Sequence, residues 1–156
     1  MFTNHHHLTG TLTIEVYNSR LNRRWQTRVN NLITTTGKQT LARHFINTIK
    51  GNLGFHIAVG TGTTPPAVAD TALVTQQASV AAKTTFLEDS TKAVTIRVKA
   101  EVPPLPENQS PQALTEAGIL LAVPGQETKT LYNRVKFAPI TRTQATTLNF
   151  AWDISF

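Results

Sequence analysis

The chain has 156 residues, no cysteine and a formal net charge of +6. Its length predicts one domain with one real core, its lack of thiols excludes disulfides and thiolate metal sites, and no apolar run reaches the roughly 18 residues of a membrane-crossing helix. Seven basic residues (Arg20, Arg23, Arg24, Arg28, Lys38, Arg43, Lys50) stand against Glu15 alone in the first 51 positions, while the remainder is neutral, so the first third is the part suited to an acidic partner.

Residues 1–9 are polar and without periodicity, and read as a flexible terminal arm lacking the apolar segment of a secretory leader. His5, His6 and His7 are adjacent. On an extended chain they point to alternate faces and no fixed carboxylate accompanies them, which favours a solvated arm over a metal site.

Leu12, Ile14 and Val16 alternate with Thr13, Glu15 and Tyr17, and Trp25, Thr27 and Val29 continue in a second alternating run. The intervening Asn18-Ser19-Arg20-Leu21-Asn22 predicts a hairpin turn. Leu32 and Ile33 close that strand. Thr34-Thr35-Thr36-Gly37 then opens the one predicted helix, over 36–50, with Thr35 or Thr36 as N-cap. Leu41, Phe45 and Ile49 give it an apolar stripe, Lys50 suits its negative end, and Gly51 supplies the C-cap.

The stretch 55–73 organises the rest. Phe55, Ile57 and Val59 alternate with His56 and Ala58, so it begins as a strand. Gly60-Thr61-Gly62 ends the strand with conformational freedom at two positions, and Pro65-Pro66 stiffen the loop beyond it. Asp70 can cap a turn that returns Leu73 to the core. No lysine comes after Gly62 as a phosphate loop requires, and no third glycine opens a helix as a dinucleotide site requires.

Residues 77–86 read as extended, with Val80 and Phe86 as anchors, and Glu88-Asp89-Ser90-Thr91 as a turn. Val94, Ile96, Val98, Ala100 and Val102 form the cleanest alternation. Four prolines (Pro103, Pro104, Pro106, Pro111) make 103–111 a stiff surface excursion. Residues 115–122 end as an apolar strand and 123–128 as a turn. Leu131, Asn133, Val135 and Phe137 then alternate with Tyr132, Arg134, Lys136 and Ala138. Leu148, Phe150, Trp152, Ile154 and Phe156 share one face, predicting a last strand buried in the core. Seven or eight short strands with turns between them, plus one inserted helix, predict a mainly β, single-domain antiparallel β-sandwich over 10–156.

The segments "NNLITTTGKQTLA", "HIAVGTGTTPPAVADTAL", "LTEAGILLA" and "LYNRVKFAPITRTQATTLNFAWDISF", in that order, resemble a family of small tailed-bacteriophage structural proteins of the tail, baseplate and fibre. The similarity runs from about Leu12 to Phe156, with the 103–111 segment and the histidine arm as departures. The resemblance implies a β-sandwich packed into the virion, without enzymatic activity, and carries over no catalytic residue. It implies other phage virion proteins as partners and a homo-oligomer, trimer or ring. Capsid decoration is the nearest alternative, and a carbohydrate- or nucleic-acid-binding module the next.

The residues themselves show no catalytic constellation. Ser19, Ser79, Ser90, Ser110 and Ser155 lie in turn or strand contexts outside any nucleophile elbow. His44 is expected to be wet, and His56 lies off the Phe55/Ile57 face. No cofactor and no metal is expected. The candidate interface is Arg20, Arg23, Arg24 and Arg28, the loop residues Gly60, Thr61, Gly62, Pro65 and Pro66, and Pro103, Pro104 and Pro106. Basic groups around Trp25 could hold nucleic acid by phosphate contact and stacking. An acidic neighbour, or a solvated hairpin tip with Trp25 facing the core, outweighs that reading, since a basic patch reports charge and not partner identity.

Overall fold

A computed structural model describes residues 8–88 and 94–156. The histidine arm at 5–7 and most of the turn expected at 88–91 lie outside the described residues. The first alternating run becomes β1 (Thr9–Asn18), with Leu12, Ile14 and Val16 fully buried. It pairs antiparallel with β2 (Arg23–Asn30) through a turn in which Asn22 takes a positive φ, a conformation that asparagine tolerates. On its other side β1 pairs with β10 (Thr146–Ser155), whose buried and half-buried residues alternate without a break. Next come β7 (Val94–Val102) and β6 (Lys83–Glu88), completing a first sheet in the order β2-β1-β10-β7-β6.

The second sheet runs β3-β9-β8-β4-β5, built from β3 (Leu32–Ile33), β9 (Thr130–Arg142), β8 (Gln112–Ala122), β4 (Gly54–Gly60) and β5 (Gln76–Ala81). All pairings are antiparallel. The inner faces of the two sheets meet over one core that includes Leu12, Ile14, Ile57, Ile119, Leu121, Val135, Phe150 and Trp152. This is the sandwich that the alternation predicts, with ten strands among the described residues rather than seven or eight. Two changes account for the higher count. The chain crosses between sheets at Ala82, splitting the extended 77–86 stretch into β5 and β6, and the two residues of β3 pair separately with β9. Phe86 is no anchor: it lies on the edge strand β6, exposed.

The one helix among the described residues, α1 (Thr35–Phe45), is shorter than 36–50 and starts from a different cap. Thr34 is the N-cap, and its hydroxyl oxygen accepts from the Gly37 amide at 3.0 Å. The same hydroxyl donates to the Leu131 carbonyl at 2.7 Å, and the Thr34 amide donates to the Tyr132 carbonyl at 3.0 Å. These bonds hold the first turn against β9, where Gly37 sits so close to the Tyr132 backbone that a Cβ has no room. The attachment point is a β-bulge. Ile119 pairs with Asn133 but Leu120 pairs with Leu131, leaving Tyr132 as the extra residue. The Asn133 side-chain carbonyl accepts from the Ile119 amide at 2.8 Å, supplying a bond to the strand where the register breaks.

The far half of α1 overhangs. The helix ends at Ile46, and the expected apolar stripe comes apart: Leu41 packs on the core, but Phe45 is 91% exposed and Ile46 70% exposed. Phe156, the last member of the expected buried row, is 49% exposed, whereas Leu148, Phe150, Trp152 and Ile154 are buried as the spacing predicts. Among the described residues no helix is long and apolar enough to cross a membrane.

Candidate functional site

One face of the first sheet is wet, which is why its strands alternate. The second sheet is covered on its outer face as well, and residues 114–121 are buried throughout. The cover is the loop 61–75. Leu73 folds back onto Ala58, Leu120 and Leu131 as a second small apolar cluster, and the Thr35 amide at the start of α1 donates to the Val68 carbonyl at 2.8 Å.

Two charged side chains under this loop hold it. Glu116 projects from β8 to the outer face, and Arg134 from the neighbouring β9; both are buried. Arg134 Nε donates to Glu116 Oε2 at 2.9 Å. Its Nη1 donates to Asp70 Oδ2 at 2.8 Å and to the Pro65 carbonyl at 3.3 Å, and its Nη2 donates to the Thr64 carbonyl at 2.8 Å. Glu116 accepts three backbone amides in turn: Gly62 at 3.0 Å, Thr75 at 2.8 Å and Val74 at 3.1 Å. Asp70 also closes its own turn, accepting from the Ala67 amide at 2.9 Å, as its predicted capping role requires. Burial alone pushes the Glu116 carboxyl up; the amides of Thr75 and Val74, the Arg134 guanidinium and the Gly62 amide together outweigh it, and its pKa lies below the ordinary value.

This arrangement corrects the reading of the two glycines. Neither Gly60 nor Gly62 takes a positive φ. They are glycines because of close approach: a Cβ on Gly60 would lie 2.5 Å from the Thr75 carbonyl oxygen and 2.6 Å from Glu116 Oε1, and one on Gly62 would lie 2.5 Å from that same oxygen. Both are buried and drop out of the candidate interface; Thr61 and Pro66 are half-buried, and only Pro65 of that group is exposed.

A second arginine holds the second proline segment. Arg142, buried near the end of β9, donates from Nε and Nη2 to the Pro103 carbonyl at 2.9 and 2.6 Å, and from Nη1 to Gln112 Oε1 at 3.4 Å. Burial pushes its pKa down. Leu105 tucks into the protein, its amide donating to the Thr143 carbonyl at 3.1 Å, and Gln144 Nε2 donates to the Gln109 carbonyl at 2.6 Å. Pro103, Pro104 and Pro106 are exposed around that anchor.

The four arginines of the hairpin come together on β2 and its turn, all exposed. Arg24 donates to Glu15 at 3.1 Å and lies over the Tyr17 ring at 4.6 Å; Arg23 lies over the Trp25 ring at 5.8 Å. Trp25 shares the inner side of its strand with Thr27 and Val29 yet stays 40% exposed, because β2 is the sheet edge. Tyr132, which alternation places on the side of Arg134 and Lys136, is buried in the core by the bulge, and burial raises its pKa. His44 is exposed; His56 is half-buried, its pKa lowered by burial and by Lys129.

Sequence reasoning missed two groups. Arg134 looks like a member of a wet strand face and Glu116 stands in a stretch read as apolar; the signal that could have found Glu116 is an acid standing alone in the otherwise uncharged run 113–123. The spacing sends Phe45 and Phe156 to the core; instead they form, with Ile46, Leu8, Leu41 and Ala42, an open apolar surface beside α1. The fold thus defines an antiparallel two-sheet β-sandwich with two arginine-anchored loops. No family model, curated protein or solved structure matches the chain.

Proposed function

We propose that this protein is a non-enzymatic structural subunit of a tailed-phage virion, an oligomeric sandwich that bridges other virion proteins at the tail, baseplate or fibre attachment. The observation that carries the reading is the apolar surface of Phe45, Ile46 and Phe156 beside α1. Contiguous exposed apolar area of this kind marks an interaction surface. The anchored loops fit the same role: backbone already fixed by buried arginines loses little entropy on docking. The two carboxylates around Arg134 are occupied by bonds that fix the loop, which supports a positional role for them over a chemical one. Capsid decoration is the second reading, on the same apolar surface.

Sedimentation of the purified chain tests this. A discrete oligomer, trimer or ring, is expected. Phe45→Ser with Ile46→Ser should shift it to monomer with an unchanged circular dichroism spectrum. A monomer at all concentrations, together with absence of the chain from phage particles by immunogold labelling, would overturn the reading.

A further inference from the structure

Among the described residues β2 is an edge strand, and its exposed residues include Arg23, Arg24 and Arg28, with Arg20 in the preceding turn. An edge strand presents unpaired backbone donors and acceptors, which another strand can complete. A second copy of this chain is a poor candidate. Edge against edge it sets arginines near arginines, and like charges directly opposite are destabilising. Nor does the chain contain an acidic strand to offer. Glu15 is paired with Arg24, Asp153 with Arg97, and Glu116 and Asp70 with Arg134; Glu88, Asp89, Glu101, Glu107 and Glu127 are scattered along the chain.

Nucleic acid fits less well than a peptide. Sequence-tolerant binding of single strands relies on bases stacking on bare aromatic faces. Here one face of Tyr17 is taken by Arg24 and one face of Trp25 by Arg23. A β-strand, by contrast, uses the free backbone edge and the charges together. Arg24 and Arg28 share one side of β2, about 13 Å apart at the strand rise, and Arg23 lies on the other side, so the complementary segment is acidic on both of its faces.

We propose that the free edge of β2 takes up an extended acidic segment of a different protein as a sixth strand of the first sheet, with Arg23, Arg24 and Arg28 meeting its carboxylates. The proposal rests on reading the chain as a subunit of a larger assembly and names the chemistry of one neighbour. The probe is a short peptide of Glu-Glu-Val-Val repeats, which carries carboxylates on both faces of a strand, titrated against the full-length chain at low salt. Its controls are the same peptide N-methylated at alternate amides and a single-stranded oligonucleotide of equal charge.

Binding of the peptide is expected to weaken about tenfold or more with N-methylation, which blocks strand pairing and leaves the charge unchanged. It should weaken by a similar factor in the Arg23→Glu, Arg28→Glu variant. Both positions are exposed, and if that variant fails to fold the N-methyl comparison on the unaltered chain still decides. No peptide binding, equal binding of the N-methylated peptide, or tighter and steeply salt-dependent binding of the oligonucleotide each overturns the proposal. If the peptide fails to bind while the chain still enters particles, the edge proposal falls and the assembly reading stands. If the peptide binds as expected while the chain is absent from particles, the edge proposal stands and the phage reading falls.

Discussion

Two proline-bearing loops are held by two buried arginines of the same strand, and they are held differently. Arg134 grips 61–75 with two carboxylates in attendance, Glu116 and Asp70. Arg142 grips the start of 103–111 with neutral oxygens only, the Pro103 carbonyl and Gln112 Oε1. The first site is a closed ionic network in which the positive charge is compensated and Glu116 carries three backbone amides besides. The second leaves a buried cation to be stabilised by dipoles. A loop that covers the outer face of a sheet, with Leu73 in a cluster beneath it, needs its polar groups satisfied without water. A loop at the rim, whose prolines face solvent, does not.

The largest expected effect is on the closed network. Glu116→Gln keeps the shape but removes the charge that balances Arg134 and replaces one acceptor oxygen with an NH₂ group facing backbone donors. Breaking one partner of a buried pair costs about 3–5 kcal/mol, and urea unfolding should show a loss of that order. The same substitution should change the acid limb. The Glu116 pKa is lower folded than its ordinary 4.5. The stability it contributes is therefore present in full above about pH 5 and is lost as pH falls through the folded value. The gap between wild type and Glu116→Gln should narrow as pH falls below 4.5 and Glu116 takes up a proton, becoming uncharged like the glutamine. A gap that stays constant with pH would mean that the charge of Glu116 is not what holds the loop.

Arg142→Met is the counterpart and should cost less, about 1–2 kcal/mol. It loses charge-assisted bonds to the Pro103 carbonyl and Gln112 Oε1 but also removes an uncompensated buried cation. The loss should be local: faster proteolysis within 103–111, unchanged protection within 61–75. Because no carboxylate faces Arg142, its acid limb should overlie that of the wild type. A cost equal to that of Glu116→Gln would erase the distinction between the two anchors.

Legibility in the sequence tracks the same division between wet and covered surfaces. β1 and β10 can be read because the first sheet has one wet face, so Leu12, Ile14 and Val16, or Leu148, Phe150 and Trp152, alternate with polar neighbours. β9 cannot. Tyr132 and Arg134 occupy positions that look solvent-facing by alternation, yet one is turned inward by a bulge and the other lies under a loop distant in sequence. Gly60 and Gly62 suggest conformational freedom, while their actual constraint is the carboxylate of Glu116, 54 residues beyond Gly62. The helix is legible from its threonines and its stripe, but periodicity marks which residues share a face, not whether anything covers that face. Phe45 shares its face with Leu41, and no neighbour among the described residues buries it.

The smallest expected effect separates the two carboxylates that Arg134 holds. Asp70 is partly solvent-exposed and bonds the tip of the loop, whereas Glu116 is fully enclosed and bonds both its ends. Asp70→Asn retains an oxygen for the Ala67 amide and loses only the ionic part of its bond to Arg134, in a position that water screens. A loss of about 1 kcal/mol is expected. In combination with Glu116→Gln the losses should not add, because the two carboxylates share one guanidinium. With Glu116 neutralised, Asp70 becomes the sole counter-charge, and removing it then costs more than it does in the wild type. Additive losses in this double-mutant cycle would mean that the carboxylates act independently, and Arg134 would then be two separate contacts rather than the centre of one network.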